Sequence, residues 1–369
     1  MTKYYQGKES NTMYFNNNSY AIVMPSMKIG GGNRVLLQFM DEAIKNNKNC
    51  KLFFLDRKGG VFNKQYSNSV SQVVLGDGVL SIILSSLILS FRVRFDKSID
   101  VVIVSDPILS IFSFIYTNKR RVRFVQSNDL LLFEVNSKGR RLFDLAYKYL
   151  FKISQKYHYH FVLFNSKYSL NSYNETLAND KRYSNNNIVS LAVFTLDYDK
   201  NIGIWPDTKS IRVCIVTSSH PRKGYKQFLE IAKSTKLKSV NFVVISQNDL
   251  CPKLNNVTYK KPQTDSEYVD VLKQCHFILS TSTFEGFGLP LIEAMALGIV
   301  PVAFYNSGMD EYNANENITI INNVDDFDRE IRKIASDKMT YDSLSRSAIN
   351  SASVFTAQNF YSSIMDKIK

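Results

Sequence analysis

The stretch Ser280-Thr281-Ser282-Thr283-Phe284-Glu285-Gly286-Phe287-Gly288-Leu289-Pro290-Leu291-Ile292-Glu293-Ala294-Met295-Ala296-Leu297-Gly298 decides how this chain is read. His276-Phe277-Ile278-Leu279 precedes it and Ile299-Val300-Pro301-Val302-Ala303-Phe304 follows it, each short and apolar enough to be a buried strand. Pro290 falls where a helix accepts proline, at its start, because the missing N–H would lack a partner there anyway. Gly298 falls where a helix ends, since glycine turns left-handed at little cost. The spacing predicts strand, glycine-rich loop, short helix, strand, the repeating unit of an open parallel α/β sheet.

That geometry carries chemistry. Gly286 and Gly288 permit close backbone approach to a ligand. The N–H groups of Gly288 and Leu289 point out of a helix N-terminus, which binds phosphate oxygens through unpaired donors and the helix dipole. Glu285 in the loop and Glu293, read as lying in the first helical turn, flank one crevice. A carboxylate beside a phosphate is electrostatically unfavourable, so each acid is expected to hold hydroxyl groups, one set from a sugar and the other from a ribose.

Glu-Gly-Phe-Gly-Leu-Pro at 285–290, with a second acid at Glu293 and then Ala-Met-Ala-Leu-Gly, resembles the signature of family 4 retaining glycosyltransferases (glycosyl transferases group 1), among them bacterial surface-polysaccharide enzymes. The alternative for these residues is an ordinary helix start with a capping-type glutamate. The resemblance implies an α/β protein of the GT-B fold, two Rossmann-like domains with parallel sheets facing across a cleft. Residues 1–200 would form the acceptor-side domain and 201–369 the nucleotide-sugar-binding domain, with the last helix crossing back to the first.

Bulk properties agree. At 369 residues the chain suits two domains, each able to bury a core. Hydrophobic content of 44% and charged content of 21% exclude wholesale disorder. A net charge of +13 calls for an anionic partner, whether nucleic acid, phosphorylated substrate or anionic lipid. Cys50, Cys214, Cys251 and Cys275 are scattered without metal-ligand spacing and read as thiols of a reducing compartment. Residues 1–18 are polar, read as a frayed leader without a signal pattern. The longest apolar run, Val79 to Phe91, is interrupted by four serines and is shorter than the ~20 residues a bilayer span requires. It reads as a buried helix of the first domain. The expected location is cytoplasmic, soluble or peripheral on the inner face of the cell membrane.

Further strands are expected at 20–25, 50–55, 100–105, 122–129 and 161–166, and after a linker within 195–209 at 211–216, 241–246 and 257–261. Gly30-Gly31-Gly32 follows the first strand, as a plain turn or a phosphate-approaching loop; its spacing is not a dinucleotide fingerprint. The resemblance sets Gly31 and Gly32 across the cleft from the donor. Asn128 and Asp129 end a strand where an open sheet borders its ligand crevice. They read as acceptor contacts or as a turn or cap. Lys223-Gly224 resembles the family's diphosphate-binding lysine, a compact charge for the leaving group. The arginine common six residues earlier is Thr217 here, so either Arg222 substitutes or diphosphate binding differs. Arg141, Lys148, Lys152 and Lys156 fall on one helical stripe, interleaved with Phe143, Tyr147, Tyr149 and Phe151. That stripe is a solvated face or a contact for anionic lipid head groups.

The expectation is a retaining glycosyltransferase that moves a sugar from a nucleotide diphosphate to a hydroxyl of a lipid-linked saccharide. Its donor site would comprise Gly31, Gly32, Arg222, Lys223, Glu285, Gly286, Phe287, Gly288, Leu289 and Glu293. Glu285 and Lys223 would be catalytic. No cofactor and no metal are expected; Asp325-Asp326-Phe327-Asp328 reads as a helix N-terminal acid cluster. Two alternatives are a nucleotide-sugar 2-epimerase, which would need a histidine in the cleft, and a basic nucleic-acid-binding protein, for which no recognition motif is present. Nucleic acid is not an expected partner.

Overall fold

The computed structural model describes residues 19–28, 30–56, 68–74, 76, 78–128, 141–157, 159–177, 183–198, 203–250, 254–313 and 317–369. The polar leader, Asp129, His158 and Cys251 lie outside them, as do the side chains of 141–147.

The first sheet begins with β1 (Ser19–Met24), buried along its whole length. Tyr20, Ile22 and Met24 point into one hydrophobic cluster, and Ala21 and Val23 into another. A strand covered on both faces in this way belongs at the centre of a parallel sheet. Next come α1 (Gly31–Lys45), β2 (Asn49–Asp56), β3 (Ser69–Val73), α2 (Val79–Phe95), β4 (Val101–Val104), α3 (Pro107–Ile111), β5 (Arg120–Val125), α4 (Arg141–Tyr157), β6 (Phe161–Phe164) and α5 (Lys167–Thr176). β7 (Ile211–Val216) opens the second sheet. α6 (Tyr225–Ser234), β8 (Val240–Ile245), β9 (Val257–Lys260), α7 (Asp265–Lys273), β10 (Phe277–Ser280), α8 (Leu289–Ala296), β11 (Val300–Ala303) and β12 (Thr319–Ile320) complete it. α9 (Val324–Ser336), α10 (Lys338–Ala352) and α11 (Ala357–Lys367) close the chain.

Among the described residues the two sheets are six-stranded and parallel, in the orders β3-β2-β1-β4-β5-β6 and β12-β11-β10-β7-β8-β9. Each reverses direction between its first and fourth strands. Such a switch point opens a ligand crevice beyond the strands' carboxyl ends. Two edge strands were not expected from sequence. β3 is polar and half-covered, and β12 is two residues long, so neither carries an apolar run.

The second unit grips the first. α11 packs on α1, with Phe360 and Tyr361 ring centroids 6.0 and 5.7 Å from Phe39, and Phe360 lies 5.6 Å from Phe124 of β5. One hydrophobic cluster runs through both units, including Phe39 and Leu163 of the first and Ile278 and Ile292 of the second.

α2 departs from the expected buried helix. Ser85, Ser86 and Ser90 are buried, whereas Leu80, Leu84, Ile88, Phe91 and Phe95 are exposed. Its apolar residues fall on every side of the helix, so the sequence does not reveal which side faces the sheet.

Candidate active site

A cavity of about 470 Å³ lies between the two units, lined by the loops that follow β1, β4 and β5 on one side and β7, β8, β9 and β10 on the other. Both switch points open into it.

The second unit supplies the charged floor. After β7 the chain makes a tight turn, Pro221–Lys223, ending at Gly224 in the left-handed region (φ 62°). A Cβ there would sit 1.7 Å from the carbonyl oxygen of Thr281, so glycine is obligatory. The Thr281 hydroxyl donates to Gly224 O at 2.8 Å, fastening this turn to the loop after β10. Lys223 is thereby held beside Glu285, with Nζ donating to Oε1 at 2.6 Å. Thr217, where an arginine was absent, donates to Lys223 O at 3.2 Å and so supports the same turn. Arg222 also lines the cavity, its guanidinium 5.7 Å from the Phe284 ring centroid and its buried Nε lacking a hydrogen-bond partner. His220 accepts from Arg222 N–H; burial, then Arg222 and Lys223, hold its imidazole below the usual value of 6.5.

α8 begins as expected, with Gly288 at φ 84° and Pro290 in the first turn, and Gly298 follows it at φ 77°. Gly288, Leu289 and Pro290 line the cavity.

The remaining glycines do something else. Gly286 lines the cavity, but a Cβ on it would lie 1.8 Å from Gln126 O, and Ser166 donates to its carbonyl. Its bareness lets the two units touch, rather than opening the loop to a ligand. Gly31 likewise faces Leu289, whose Cδ1 would lie 2.9 Å from an added Cβ, and Gly32 faces Gln126. The Gln126 amide donates to Gly32 O at 3.1 Å and to Ser105 Oγ at 2.7 Å. Phe287 turns its ring into the core, 5.3 Å from Tyr312 and 5.2 Å from Phe355.

Glu293 is the largest departure. It is the fifth residue of α8, in the second turn rather than the first, and it is buried. Arg34 Nη1 donates to its Oε1 at 3.3 Å and the Tyr268 hydroxyl to its Oε2 at 2.8 Å. Both carboxylate oxygens are therefore engaged by protein. Burial raises its pKa, with Arg34 and Tyr268 opposing the rise. Arg34, in the first turn of α1, also donates to Asp265 Oδ1 at 2.6 Å, and its guanidinium lies 4.0 Å from the Phe194 ring centroid. One arginine of the first unit thus clasps two acids of the second. The sequence carried a signal for it, an arginine just after a glycine triplet, but none for its partners.

Asn128 is half-buried and is not among the cavity-lining residues; Gln126 and Ser127 are. On α4 Lys152 and Lys156 are exposed and Lys148 half-buried. Among the described residues no group of three or more histidines, cysteines or acids is arranged to hold a metal ion. Asp326 sits in the first turn of α9, capped by Asn323, and Asp328 accepts from Thr235 Oγ1 and Lys236 N–H.

Two doubly wound parallel sheets that meet over a cleft at their strand ends define the GT-B fold. Residues 199–351, most of the second unit, match the model of the family described as glycosyl transferases group 1. Solved structures share the fold along almost the entire chain. The sucrose-phosphate synthase of Thermosynechococcus elongatus is similar at a TM-score of 0.73 and 12% identity, covering 95% of this chain and 98% of its own. WaaG, a glycosyltransferase involved in lipopolysaccharide biosynthesis, is similar at 0.70 and 13%, covering 95% and 99%. Anabaena HepE in complex with UDP and glucose is similar at 0.68 and 14%, covering 94% and 98%. No curated protein matches the chain by sequence.

Proposed function

We propose that the protein transfers a sugar, with retention, from a nucleotide diphosphate to a hydroxyl of a lipid-linked saccharide. The observation that carries this reading is the Lys223–Glu285 pair at 2.6 Å beside the N-terminus of α8, inside the cleft between two Rossmann-like units. The two charges neutralise each other. A diphosphate entering beside Lys223 and the α8 N–H groups takes the ammonium as its own counter-ion. Glu285 is then released to accept from sugar hydroxyls. As the bond from the sugar's anomeric carbon to the phosphate oxygen breaks, Lys223, Arg222 and the helix terminus stabilise the departing charge. The acceptor oxygen attacks from the face the diphosphate leaves, and its proton passes to a departing phosphate oxygen. Glu285 is then a positioning acid and no covalent intermediate forms on it.

UDP in the similar Anabaena structure supports a nucleotide-sugar donor for this chain. The Glu293 carboxylate lines the cavity while holding Arg34 and Tyr268, and a ribose hydroxyl would share its remaining acceptor positions with them. No histidine lines the cavity among the described residues, which favours the transferase over a 2-epimerase. The basic face of α4 supports docking on an anionic membrane, where a lipid-linked acceptor resides. Among the described residues no helix is long and apolar enough to cross a membrane.

The test is a melting-temperature panel of nucleotide diphosphates and their sugars. It is followed by transfer to a polyprenyl-diphosphate saccharide and assignment of the product's anomeric configuration by NMR. A nucleotide sugar that binds tightly raises the melting temperature by mass action. Absence of any nucleotide-dependent shift, or an inverted product, refutes the reading.

A further inference from the structure

α2 is apolar on both sides: Leu89 and Val93 are buried in the core of the first unit, and a second apolar face is turned outward. Ser85, Ser86 and Ser90 share the buried side, where Ser86 Oγ donates to Ile82 O at 2.7 Å and Ser90 Oγ to Ser86 O at 2.8 Å within the helix. Its outer face carries Leu80, Leu84, Ile88, Phe91 and Phe95, each between 43% and 75% exposed. At about 100° per residue these five positions fall within one arc of roughly 80°, on a ridge about 22 Å long. Phe91 and Phe95 stack on each other along it, ring centroids 6.2 Å apart. Single exposed leucines are ordinary, but a continuous apolar ridge on a soluble surface marks a contact.

The neighbourhood identifies the partner. α2 contains no acid and carries exposed Arg92 near its end. α3 and the turn Phe112–Phe114 pack against both α2 and α4, and Phe114 is exposed between them. On α4, Tyr149 and Leu150 are exposed alongside Lys152 and Lys156. An apolar ridge edged by cations and aromatic rings complements the boundary between acyl chains and anionic head groups. A second copy of the chain fits less well, because a two-fold contact sets the same patch against itself and brings its cations together.

We propose that the outer face of α2 inserts into the surface of an anionic bilayer, with the lysines of α4 over the head groups. This extends the membrane docking proposed above and does not depend on the sugar donor. The two helices contribute differently. Attraction from α4 is screened by salt, whereas burial of the α2 ridge is not.

Flotation with vesicles of phosphatidylcholine, with and without phosphatidylglycerol, separates them. Wild type floats with the anionic vesicles, and part of that binding survives about 1 M salt, where screening is complete within about 3 Å. Leu84→Gln/Ile88→Gln/Phe91→Gln loses the salt-resistant part by more than about tenfold, since burying one such side chain is already worth that much. Lys148→Gln/Lys152→Gln/Lys156→Gln loses only the salt-sensitive part. Ile88→Trp is quenched by brominated acyl chains. Circular dichroism and the nucleotide-induced melting shift stay at wild-type values in the α2 variant, so a failure of the donor reading is seen separately. Equal flotation of the α2 variant, no quenching at position 88, or a wild-type dimer that this variant converts to monomer would each overturn the proposal.

Discussion

Replacing Arg34 by methionine tests the clasp between the two units. Methionine keeps most of the side chain's volume and removes its charge, leaving Glu293 buried with only Tyr268 beside it. Removing one partner of a buried ion pair costs about 3–5 kcal/mol, because the other charge stays desolvated. Asp265 adds little to this, since its side chain is 38% exposed and water replaces the lost bond. For a chain of this size the melting temperature should fall by about 5 °C. The loss should depend on pH. Burial already raises the Glu293 pKa and Arg34 is the chief opposing influence, so its removal raises it further. A carboxyl whose folded pKa exceeds its unfolded value contributes stability that is complete below the unfolded value and lost as pH rises through the folded one. Arg34→Met should therefore be least damaging in acid, below the ordinary carboxylate range, and most damaging on the alkaline side. Adding Glu293→Gln removes the stranded charge, so the double variant should be more stable than the sum of the single changes by at least about 1 kcal/mol. Urea unfolding followed by circular dichroism across pH measures all three quantities. A cost below about 1 kcal/mol at pH 8, or strict additivity, would refute the clasp.

Lys223→Ala should lower the transfer rate by more than about tenfold with the fold intact; an unchanged rate excludes Lys223 from stabilising the leaving group. Glu285→Gln should lower kcat more than it raises KM for the donor, whereas a pure KM effect would make Glu285 a binding group only. Gly286→Ala must push the second unit away from Gln126 O, 1.8 Å from the new Cβ, so both melting temperature and activity should drop. A variant matching wild type in both would mean that the two backbones do not meet. His220 should titrate below 6.5, because of burial and then Arg222 and Lys223, and contribute stability present above 6.5 and lost as pH falls through its folded pKa. A bound diphosphate offsets those cations, so NMR titration with UDP should show an upward shift; no movement would place the phosphates elsewhere.

The strand, loop and helix around Glu285 were legible in the chain because each rests on short-range physics. Pro290 suits a first turn, Gly288 and Gly298 take positive φ, and flanking apolar runs make strands. Lys223 and Glu285 were set in one site by the resemblance alone; that they meet was decided by the sheet, which sets β7 beside β10 so that the loops after them emerge at the same edge. Contacts between the units were not legible in the chain. Arg34 and Glu293 are 259 residues apart, and nothing local to either names the other. Gly286 has the same bare backbone whether it meets a ligand or Gln126. α2 was recognisable as an apolar helix, but its orientation was not, because its apolar residues fall on every side. Backbone conformation is set within a few residues, whereas burial and pairing are set by which surfaces the assembled sheets bring together.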